Sequence, residues 1–326
     1  MLKHLKYLLL ATVSLFLIVG CGDDTPSKTR KTKIAFITNT SADFWSYAQA
    51  GFQKAGQDFD NIEVIFKTGD GTTSKQKQIV EDLLVSGVKG IAISPVSPDN
   101  QVKMINSWSQ DAKVICVDSD SPNSDRISYL GTNNIEAGKK CGELLKEALP
   151  NGGKVMVFVG LKDVQNAQER FSGLKEAVKG TKIEILDLRT DGGDAAKARA
   201  NAEDSLTAHP DLAAMVGLWG YNPPACLEAI KSVGLEGKVK VIAFDEAAKT
   251  LEGIDKGSVH GTVVQSPFKF GYDSAVLLRN LITEKKSLKD AGIPPNSIIY
   301  VDTKVLKKGE GLKYKVKCDE WKKGLN

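Results

Sequence analysis

The stretch Val114-Ile115-Cys116-Val117-Asp118 is a short apolar run that ends on a carboxylate and a polar turn. Its length and its β-branched residues predict a buried strand of a parallel sheet, with an acid at its carboxyl end. The stretch Val241-Ile242-Ala243-Phe244-Asp245 repeats the pattern. Ligands of open α/β sheets bind at the carboxyl ends of the strands. Two such strands, each delivering one aspartate, therefore predict two matching sheets that face one ligand.

These two strands belong to a longer internal repeat. Strand and helix patterns alternate over residues 34–118 and again over residues 154–245. Gly51-Phe52-Gln53-Lys54-Ala55 aligns with Gly173-Leu174-Lys175-Glu176-Ala177, at a spacing of 173 − 51 = 122. Such alternation predicts an α/β fold with doubly wound parallel sheets. Because each repeat is about 100 residues long, we expect two lobes rather than a solenoid of short units.

The amino terminus has the pattern of an export signal. Lys3 and Lys6 precede an apolar run at residues 8–19, which is shorter than the roughly 20 residues of a membrane span. The sequence Ile18-Val19-Gly20-Cys21 resembles the lipobox of bacterial lipoproteins. That resemblance implies removal of residues 1–20 and acylation of Cys21, although an ordinary signal peptide fits the same pattern. Residues 21–32 are polar and predict a flexible tether.

Composition argues against a nucleic-acid partner. Lys and Arg total 44 against 40 Asp and Glu, and loss of residues 1–20 lowers the net charge from +4 to 42 − 40 = +2. A chain this close to neutral lacks the basic face that nucleic acids require. The four cysteines after Cys21 lack metal-binding spacing, and we predict a buried free thiol at Cys116. An exported protein could pair Cys116, Cys141, Cys226 and Cys318, but the sequence does not favour a disulfide among them.

Polar and aromatic residues follow the predicted strands at their carboxyl ends. Carboxylates and amides bridge neighbouring hydroxyls, an arginine donates to ring and hydroxyl oxygens, and aromatic faces cover the C–H face of a sugar ring. An anionic ligand would instead require clustered basic residues or open helix amino termini. The pattern favours a neutral polyol. The candidate ligand-binding residues are Phe44, Trp45, Asp118, Ser119, Arg170, Trp219, Asn222, Asp245 and Gln265.

Each candidate also fits a role without a ligand. An aspartate at the end of a strand is common in turns and helix caps. Phe44 and Trp45 fit the core side of the first helix, and Arg170 fits the exposed face of an amphipathic helix. Residues 219–224 fit a rigid loop. We favour ligand contact over these roles.

Several motifs resemble periplasmic sugar-binding proteins of the ribose-binding type in their order and spacing. They are Asn-Thr-Ser-Ala-Asp-Phe-Trp at 39–45, Val-Ile-Cys-Val-Asp at 114–118, Gln-Glu-Arg at 168–170, Thr-Ala-His-Pro-Asp at 207–211, Ile-Ala-Phe-Asp at 242–245 and Val-Val-Gln-Ser-Pro at 263–267. The resemblance covers about residues 33–305. It implies a two-lobed α/β clamp, joined by three crossovers, that closes on a sugar and passes it to the permease and ATPase of an ABC importer.

The resemblance also implies roles for single residues. Phe44 and Trp45 match the aromatic pair that packs on the sugar ring, and Asp118, Arg170, Asp245 and Gln265 match polar sugar contacts. The ribose binders have asparagine where Ala42 stands and arginine where Ser119 stands, and the aromatic expected near Gly193 is absent. The loop at residues 219–222 replaces an asparagine of the second lobe. The clamp is therefore expected without the ribose-specific contacts, which indicates a different sugar or polyol.

The domain boundaries follow from this architecture. We expect residues 33–132 with 263–292 to form the first lobe, and residues 133–262 with 293–305 to form the second. The crossovers are predicted near residues 132–134, 261–262 and 293–295, and residues 306–326 as a solvated basic tail. A monomer is expected, on the periplasmic or extracellular face of a bacterial membrane and attached only through its lipid.

Other functions fit the sequence less well. Nucleotide-binding, hydrolase and zinc motifs are missing from the sequence, so we expect neither catalysis nor a cofactor or metal. A regulator resembling the lactose repressor would need an amino-terminal helix-turn-helix in place of the export signal. A lipoprotein that presents bound sugar to a membrane kinase or chemoreceptor remains the alternative to an importer component.

Overall fold

Strands and helices alternate along residues 31–323, the part of the chain that the computed structural model describes. The predicted signal peptide, the acylation site Cys21 and most of the predicted tether lie outside the described residues. The strands are β1 (Thr32–Ile37), β2 (Ile62–Lys67), β3 (Gly90–Ile93), β4 (Lys113–Val117), β5 (Tyr129–Gly131), β6 (Gly153–Val159), β7 (Ile183–Thr190), β8 (Leu212–Gly217), β9 (Lys240–Phe244), β10 (Gly261–Val264), β11 (Ile298–Tyr300) and β12 (Lys304–Leu306).

The helices fall between these strands, as a doubly wound fold requires. They are α1 (Phe44–Asp58), α2 (Thr73–Val85), α3 (Pro98–Trp108), α4 (Asn134–Ala148), α5 (Gln165–Val178), α6 (Ala195–Ala208), α7 (Asn222–Ser232), α8 (Ala248–Lys256), α9 (Pro267–Ile282) and α10 (Gly311–Lys322). Among the described residues, no helix is long and apolar enough to cross a membrane.

The strands form two sheets of matching order. The first sheet has the order β11-β5-β4-β3-β1-β2, and the second has the order β12-β10-β9-β8-β6-β7. The pairs are parallel, except that β12 runs antiparallel to β10. The prediction of two α/β lobes with parallel sheets is therefore confirmed.

Strands β4 and β9, which contain the apolar runs at residues 114–117 and 241–244, lie at the centres of these sheets. Val114 to Val117 of β4 are fully buried, because helices cover both faces of the sheet. The side chains of β1 alternate between two apolar clusters, one on each face of the sheet. Ile34 and Phe36 pack in one apolar cluster, and Ala35 and Ile37 pack in another on the opposite face.

The glycines of the internal repeat lie where helices cross closely. A Cβ atom at Gly51 would lie 1.9 Å from the carbonyl oxygen of Phe268 in α9, and a Cβ atom at Gly173 would lie 2.1 Å from that of Ile135 in α4. Both distances are far below van der Waals contact, so only glycine fits. The repeat predicted from Gly51 and Gly173 therefore corresponds to one helix-packing arrangement used in each lobe.

The chain crosses between the sheets three times within residues 31–323. The crossings follow β5, β10 and β11, at residues 132–133, 265–266 and 301–303. The first agrees with the prediction, and the other two are corrections. Residues 261–262 lie inside β10, so Val263 and Val264 belong to the second lobe. The predicted crossing at 293–295 precedes β11, which belongs to the first.

The wrong boundary has a physical cause. Ile293 and Val301 pack in the core of the first lobe, which keeps the intervening chain there. The apolar run at residues 298–305 forms parts of two sheets, with β11 in the first and β12 in the second. A further small correction concerns the tether, because β1 already begins at Thr32.

The carboxyl-terminal segment is a helix that bridges the lobes, and not the predicted solvated tail. At its start, the Asp255 carboxylate accepts hydrogen bonds from the backbone N–H groups of Gly309 and Leu312, both at 2.7 Å. At its end, the Trp321 ring stacks on Phe268 of α9 with centroids 5.4 Å apart. Lysines occupy much of α10. This composition predicts a solvated segment, although a few other residues anchor the helix.

Candidate ligand-binding cleft

A cleft of about 700 Å³ separates the carboxyl ends of the two sheets. Residues from both lobes line it, because the two matching sheets direct these ends toward each other. Seven of the nine candidate residues line the cleft: Phe44, Trp45, Asp118, Arg170, Trp219, Asp245 and Gln265. The structure therefore brings most of the predicted set to one place.

The two aspartates that end β4 and β9 share one unusual backbone conformation. Asp118 and Asp245 both have φ of 66°, in the left-handed region that residues other than glycine rarely adopt. The backbone N–H of Asp118 donates to the Leu130 carbonyl at 3.1 Å, and that of Asp245 donates to the Val263 carbonyl at 2.9 Å. Each neighbouring strand thus holds its aspartate in the strained turn, which is typical of functional positions.

The Asp118 carboxylate is bonded across the cleft. Its Oδ2 accepts from Asn166 Nδ2 at 2.9 Å and from Ser94 Oγ at 3.3 Å. Asn166 belongs to α5 of the second lobe, and its Oδ1 accepts from Trp219 Nε1 at 3.2 Å. A chain of hydrogen bonds therefore joins the first lobe to the second at the bottom of the cleft.

The Asp245 carboxylate is bonded to the crossovers. Its Oδ1 accepts from Gln265 Nε2 at 2.7 Å. The Oε1 of the same glutamine accepts from Thr132 Oγ1 at 2.8 Å. Because Thr132 lies at the first crossover and Gln265 at the second, Asp245 is oriented by two of the segments that join the lobes.

Arg170 lies near enough to both aspartates for its charge to lower the pKa of each, and it is only 1% exposed. Its Nε donates to Asn134 Oδ1 at 3.0 Å, and its Nη1 donates to the Leu218 carbonyl at 2.9 Å. Its guanidinium carbon lies 4.7 Å from the centroid of the Phe244 ring. Nη2 is buried and has no hydrogen-bond partner among residues 31–323. Arg170 therefore retains one free donor group at the cleft.

Burial and charge shift the acidity of both aspartates. Burial raises the pKa of the Asp118 carboxyl to about 6, the charge of Arg170 opposes the shift, and the charge of Asp245 adds to it. Burial likewise raises the pKa of Asp245, and Arg170 and Gln265 oppose the rise. Hydroxyl groups that donate to these carboxylates would favour their charged forms.

Aromatic side chains from both lobes form the apolar part of the cleft. The rings of Phe44 and Trp45 meet edge to face with centroids 5.1 Å apart, and those of Trp219 and Tyr221 with centroids 6.4 Å apart. Trp45 is 4% exposed and donates through Nε1 to Asn39 Oδ1 at 3.2 Å. Trp45 thus packs in the core of the first lobe and also lines the cleft.

Two candidate residues, Ser119 and Asn222, do not line the cleft. Ser119 is fully buried in the turn behind Asp118. Asn222 accepts from the Trp219 backbone N–H at 3.2 Å and donates to Asp191 Oδ2 at 2.9 Å. Its amide therefore holds the loop at residues 219–222, and neither residue lies at the cleft, where the prediction had placed it.

Some cleft residues were missed by the prediction. Asn39, Asn166 and Tyr221 line the cleft and lie inside stretches that follow predicted strands, so their position in the sequence was the available signal. Glu246 also lines it, directly after Asp245. Nothing in the local pattern distinguishes Glu246 from an exposed residue at the start of a helix.

Two lobes of the same α/β topology around one polar cleft define a binding protein that encloses its ligand. The family model of the periplasmic binding protein domain matches residues 34–286, which is 286 − 34 + 1 = 253 of the 326 residues. The chain belongs to the periplasmic binding protein family.

Its curated relatives confirm the ribose-binding type. The D-ribose/D-allose-binding protein of Pseudomonas aeruginosa is 27% identical over 270 residues, which cover 78% of this chain and 83% of the relative. The ribose import binding protein of Escherichia coli is 27% identical over 247 residues, which cover 74% and 81%. An ABC transporter solute-binding protein of Burkholderia graminis, solved in complex with D-arabinose, is 29% identical with a TM-score of 0.78, over 86% of this chain and 97% of that chain.

Proposed function

We propose that this protein is an extracytoplasmic solute-binding protein that captures a sugar or polyol between its lobes and delivers it to an ABC-type importer. One observation carries the proposal: Asp118 and Asp245, one from each lobe, line the same cleft as a buried donor of Arg170 that lacks a partner within the described chain. Two carboxylates and one guanidinium match the hydroxyl and ring oxygens of a polyol.

Binding would favour the closed arrangement of the lobes. Asp118 belongs to the first lobe and Asp245 to the second, so a ligand that contacts both makes its full set of contacts only when the cleft is closed. The aromatic pair Phe44 and Trp45 would cover an apolar face of the sugar. Rotation about the crossovers at residues 132–133, 265–266 and 301–303 would open the cleft.

The names of the relatives support a role in import. One is a ribose import binding protein, and another is an ABC transporter solute-binding protein with bound D-arabinose. By analogy, the partners of this chain would be the permease and ATPase subunits of an ABC importer. We expect a monomeric protein, because a single chain supplies both walls of the cleft.

Membrane attachment is a further part of the proposal. It rests on the basic and apolar pattern of residues 1–20 and on Cys21, which resembles a lipobox cysteine. We expect a Cys21→Ser variant to lose metabolic labelling by a fatty acid and to appear in the soluble extracytoplasmic fraction. Labelling that persists in this variant would contradict acylation at Cys21.

A sensory role is the second candidate. A solved complex named XylFII-LytSN is 25% identical to this chain, with a TM-score of 0.77, over 85% of this chain and 98% of that chain. A lipoprotein that presents bound sugar to a membrane kinase would use the same cleft. Co-purification from membranes distinguishes the two, because an importer component is recovered with a permease and an ATPase and a sensor with a kinase.

A thermal-shift screen against pentoses, hexoses, inositols and amino sugars tests the binding function. A ligand that binds only the folded protein raises its melting temperature, and the stabilisation grows with the logarithm of one plus the ratio of free ligand concentration to Kd. We expect at least one sugar to do so. Asp245→Ala should weaken its binding by roughly 100-fold, since a charged hydrogen-bond acceptor is lost.

The ligand-free Asp245→Ala protein provides the necessary comparison. Its free energy of unfolding should remain within about 1 kcal/mol of the wild type, because removal of a buried charge offsets the loss of the Gln265 contact. A collapse of several kcal/mol would instead make Asp245 a structural residue. Asp204→Ala, on the exposed side of α6, is the matched control and should bind sugar like the wild type.

A further inference from the structure

Glu246 places an additional carboxyl group in the wall of the cleft. Its side chain is 1% exposed and lines the cleft directly beside Asp245. Neither Oε1 nor Oε2 has a hydrogen-bond partner among residues 31–323. A buried carboxyl without a partner carries a desolvation cost of several kcal/mol when ionised, so a native structure rarely retains one without a use.

The groups that face Glu246 come from three elements. Asp245 adjoins it at the end of β9, α1 presents groups near its start, and α10 covers the other side. The titratable groups involved are Asp43, Tyr47, Asp245, Tyr314, Cys318 and Lys322. Of these, Lys322 is the base, and it already pairs with Asp43 at 2.9 Å. No cation within the described chain is therefore left to neutralise Glu246.

The interior of the cleft has more acids than bases. At its rim, Glu228 pairs with Arg199 and Lys249. Inside the cleft, the described residues include three acids, Asp118, Asp245 and Glu246, and one base, Arg170. Burial raises the pKa of Asp118 and Asp245, and it raises that of Glu246 well above its usual range, with the neighbouring charges of Asp245 and Asp43 adding to the effect. Burial therefore favours the protonated form of Glu246 in the empty cleft, and a cationic ligand group would displace that proton.

We propose that Glu246 is a specificity-determining residue that accepts hydrogen bonds from a protonated amine, so that the bound ligand is an amino sugar. This inference rests on the function proposed above and names the ligand class for the same cleft. An ammonium group has several donors for the two free oxygens and supplies the missing positive charge. A hydroxyl group would supply one donor and leave a buried carboxylate uncompensated.

Titration calorimetry of the full mature protein with matched ligands tests the proposal. Each neutral hexose (glucose, galactose and mannose) is compared with its 2-amino and 6-amino derivatives at pH 7. We expect one amino sugar to bind about tenfold or more tightly than its neutral counterpart, because the added hydrogen bonds are charge-assisted. Binding should also release protons, seen as a dependence of the measured heat on the ionisation enthalpy of the buffer.

Glu246→Gln is the decisive variant, since it retains the size and burial of the side chain and removes its charge. It should reduce the preference for the amino sugar to less than about twofold and abolish the release of protons. Its melting temperature without ligand should equal or exceed that of the wild type, because a buried carboxyl with no partner is removed. Glu246→Ala serves as the second variant if the amide is poorly tolerated.

The outcomes separate this inference from the proposed function. If neutral sugars bind as tightly as their amino derivatives, or if Glu246→Gln keeps the amine preference, the assignment of Glu246 is overturned while sugar binding stands. If a neutral sugar is preferred and Glu246→Gln weakens it, Glu246 contacts a hydroxyl and the amino-sugar assignment is wrong. If no sugar of either class raises the melting temperature, the proposed function fails as well.

Discussion

The two walls of the cleft end in the same aspartate turn. Asp118 and Asp245 have the same φ of 66°, and each backbone N–H donates to the adjacent strand. Each backbone carbonyl also accepts from a side-chain hydroxyl one strand away, Tyr129 at 3.0 Å in the first lobe and Thr262 at 2.8 Å in the second. The two halves of the repeat therefore share one backbone turn, and different side chains stabilise it.

The carboxylates of these turns are held in different ways. Asn166 of the opposite lobe holds Asp118, whereas Gln265 at a crossover holds Asp245. The orientation of Asp118 therefore depends on a contact across the cleft as well as on Ser94 of its own lobe, whereas that of Asp245 depends on a crossover. The residues that follow also differ, because Ser119 lies behind the turn while Glu246 lines the cleft. Matching backbones thus present one ligand with two chemically distinct walls.

The largest expected effect comes from the residue that both walls share. Arg170→Ala should lower the free energy of unfolding by about 4 kcal/mol, because removing one partner of a buried charged network leaves the other charges uncompensated. Urea denaturation at pH 7 measures the loss. Arg199→Ala, whose side chain is 47% exposed, is the control and should change stability by about 0.5 kcal/mol at most. A small loss in Arg170→Ala would mean that the two aspartates do not depend on one cation.

The pH dependence of stability distinguishes the contribution of Asp118. Its pKa is about 6 in the folded protein, against an ordinary value of 3.8. Between these values the folded state holds a proton that the unfolded state has released, so stability falls as pH rises through the window from about 4 to 6. The full penalty, roughly 3 kcal/mol for a shift of about two pKa units, is present above pH 6.

The Asp118→Asn variant has no carboxyl group to titrate at this position. Its stability should therefore lack the loss that the ionised Asp118 causes in the wild type. Its free energy of unfolding, relative to the ligand-free wild type, should rise by roughly 3 kcal/mol between pH 4 and pH 7. Urea denaturation of both proteins across this range measures the difference. Asp204→Asn on α6 controls for the loss of an exposed aspartate. A pH-independent difference between Asp118→Asn and the wild type would show that Asp118 remains ionised throughout.

Prediction from sequence succeeded where burial or close packing restricts the residue types in a short stretch of chain. The buried strands β4 and β9, their terminal aspartates and the repeat of Gly51 and Gly173 were all visible, because burial and close helix packing restrict residue type directly. The position of the cleft followed from the same strands. Their carboxyl ends meet at one edge of each sheet, as parallel topology requires.

Prediction failed where long-range contacts decide the outcome. The segment at residues 293–301 stays in the first lobe because Ile293 and Val301 pack in its core, which no local pattern indicates. Helix α10 depends on Asp255 and Trp321, two residues in a segment dominated by lysine. Asn222 has the residue type of a sugar contact, but its amide is already bonded to Asp191 and to the Trp219 backbone.

The different attachments of the two carboxylates can be compared directly. Asn166→Ala removes the hydrogen bond that crosses the cleft, whereas Gln265→Ala removes the one at the crossover. We expect Asn166→Ala to increase the radius of gyration of the ligand-free protein and to weaken ligand binding by about tenfold, the value of one lost hydrogen bond. Small-angle scattering and calorimetry measure these two effects. Equal expansion in Gln265→Ala would contradict the distinction between the walls.

The smallest effect is expected at Ser119, which occupies the position after Asp118 that Glu246 occupies after Asp245. Ser119 Oγ is buried without a partner among residues 31–323, and the residue does not line the cleft. Ser119→Ala removes an unsatisfied group, so stability should change by about 0.5 kcal/mol at most and ligand affinity should not change. Urea denaturation and calorimetry of this variant, beside Glu246→Gln, measure both quantities. A tenfold loss of affinity in Ser119→Ala would restore Ser119 as a ligand contact, and the two walls would then differ less than their side chains indicate.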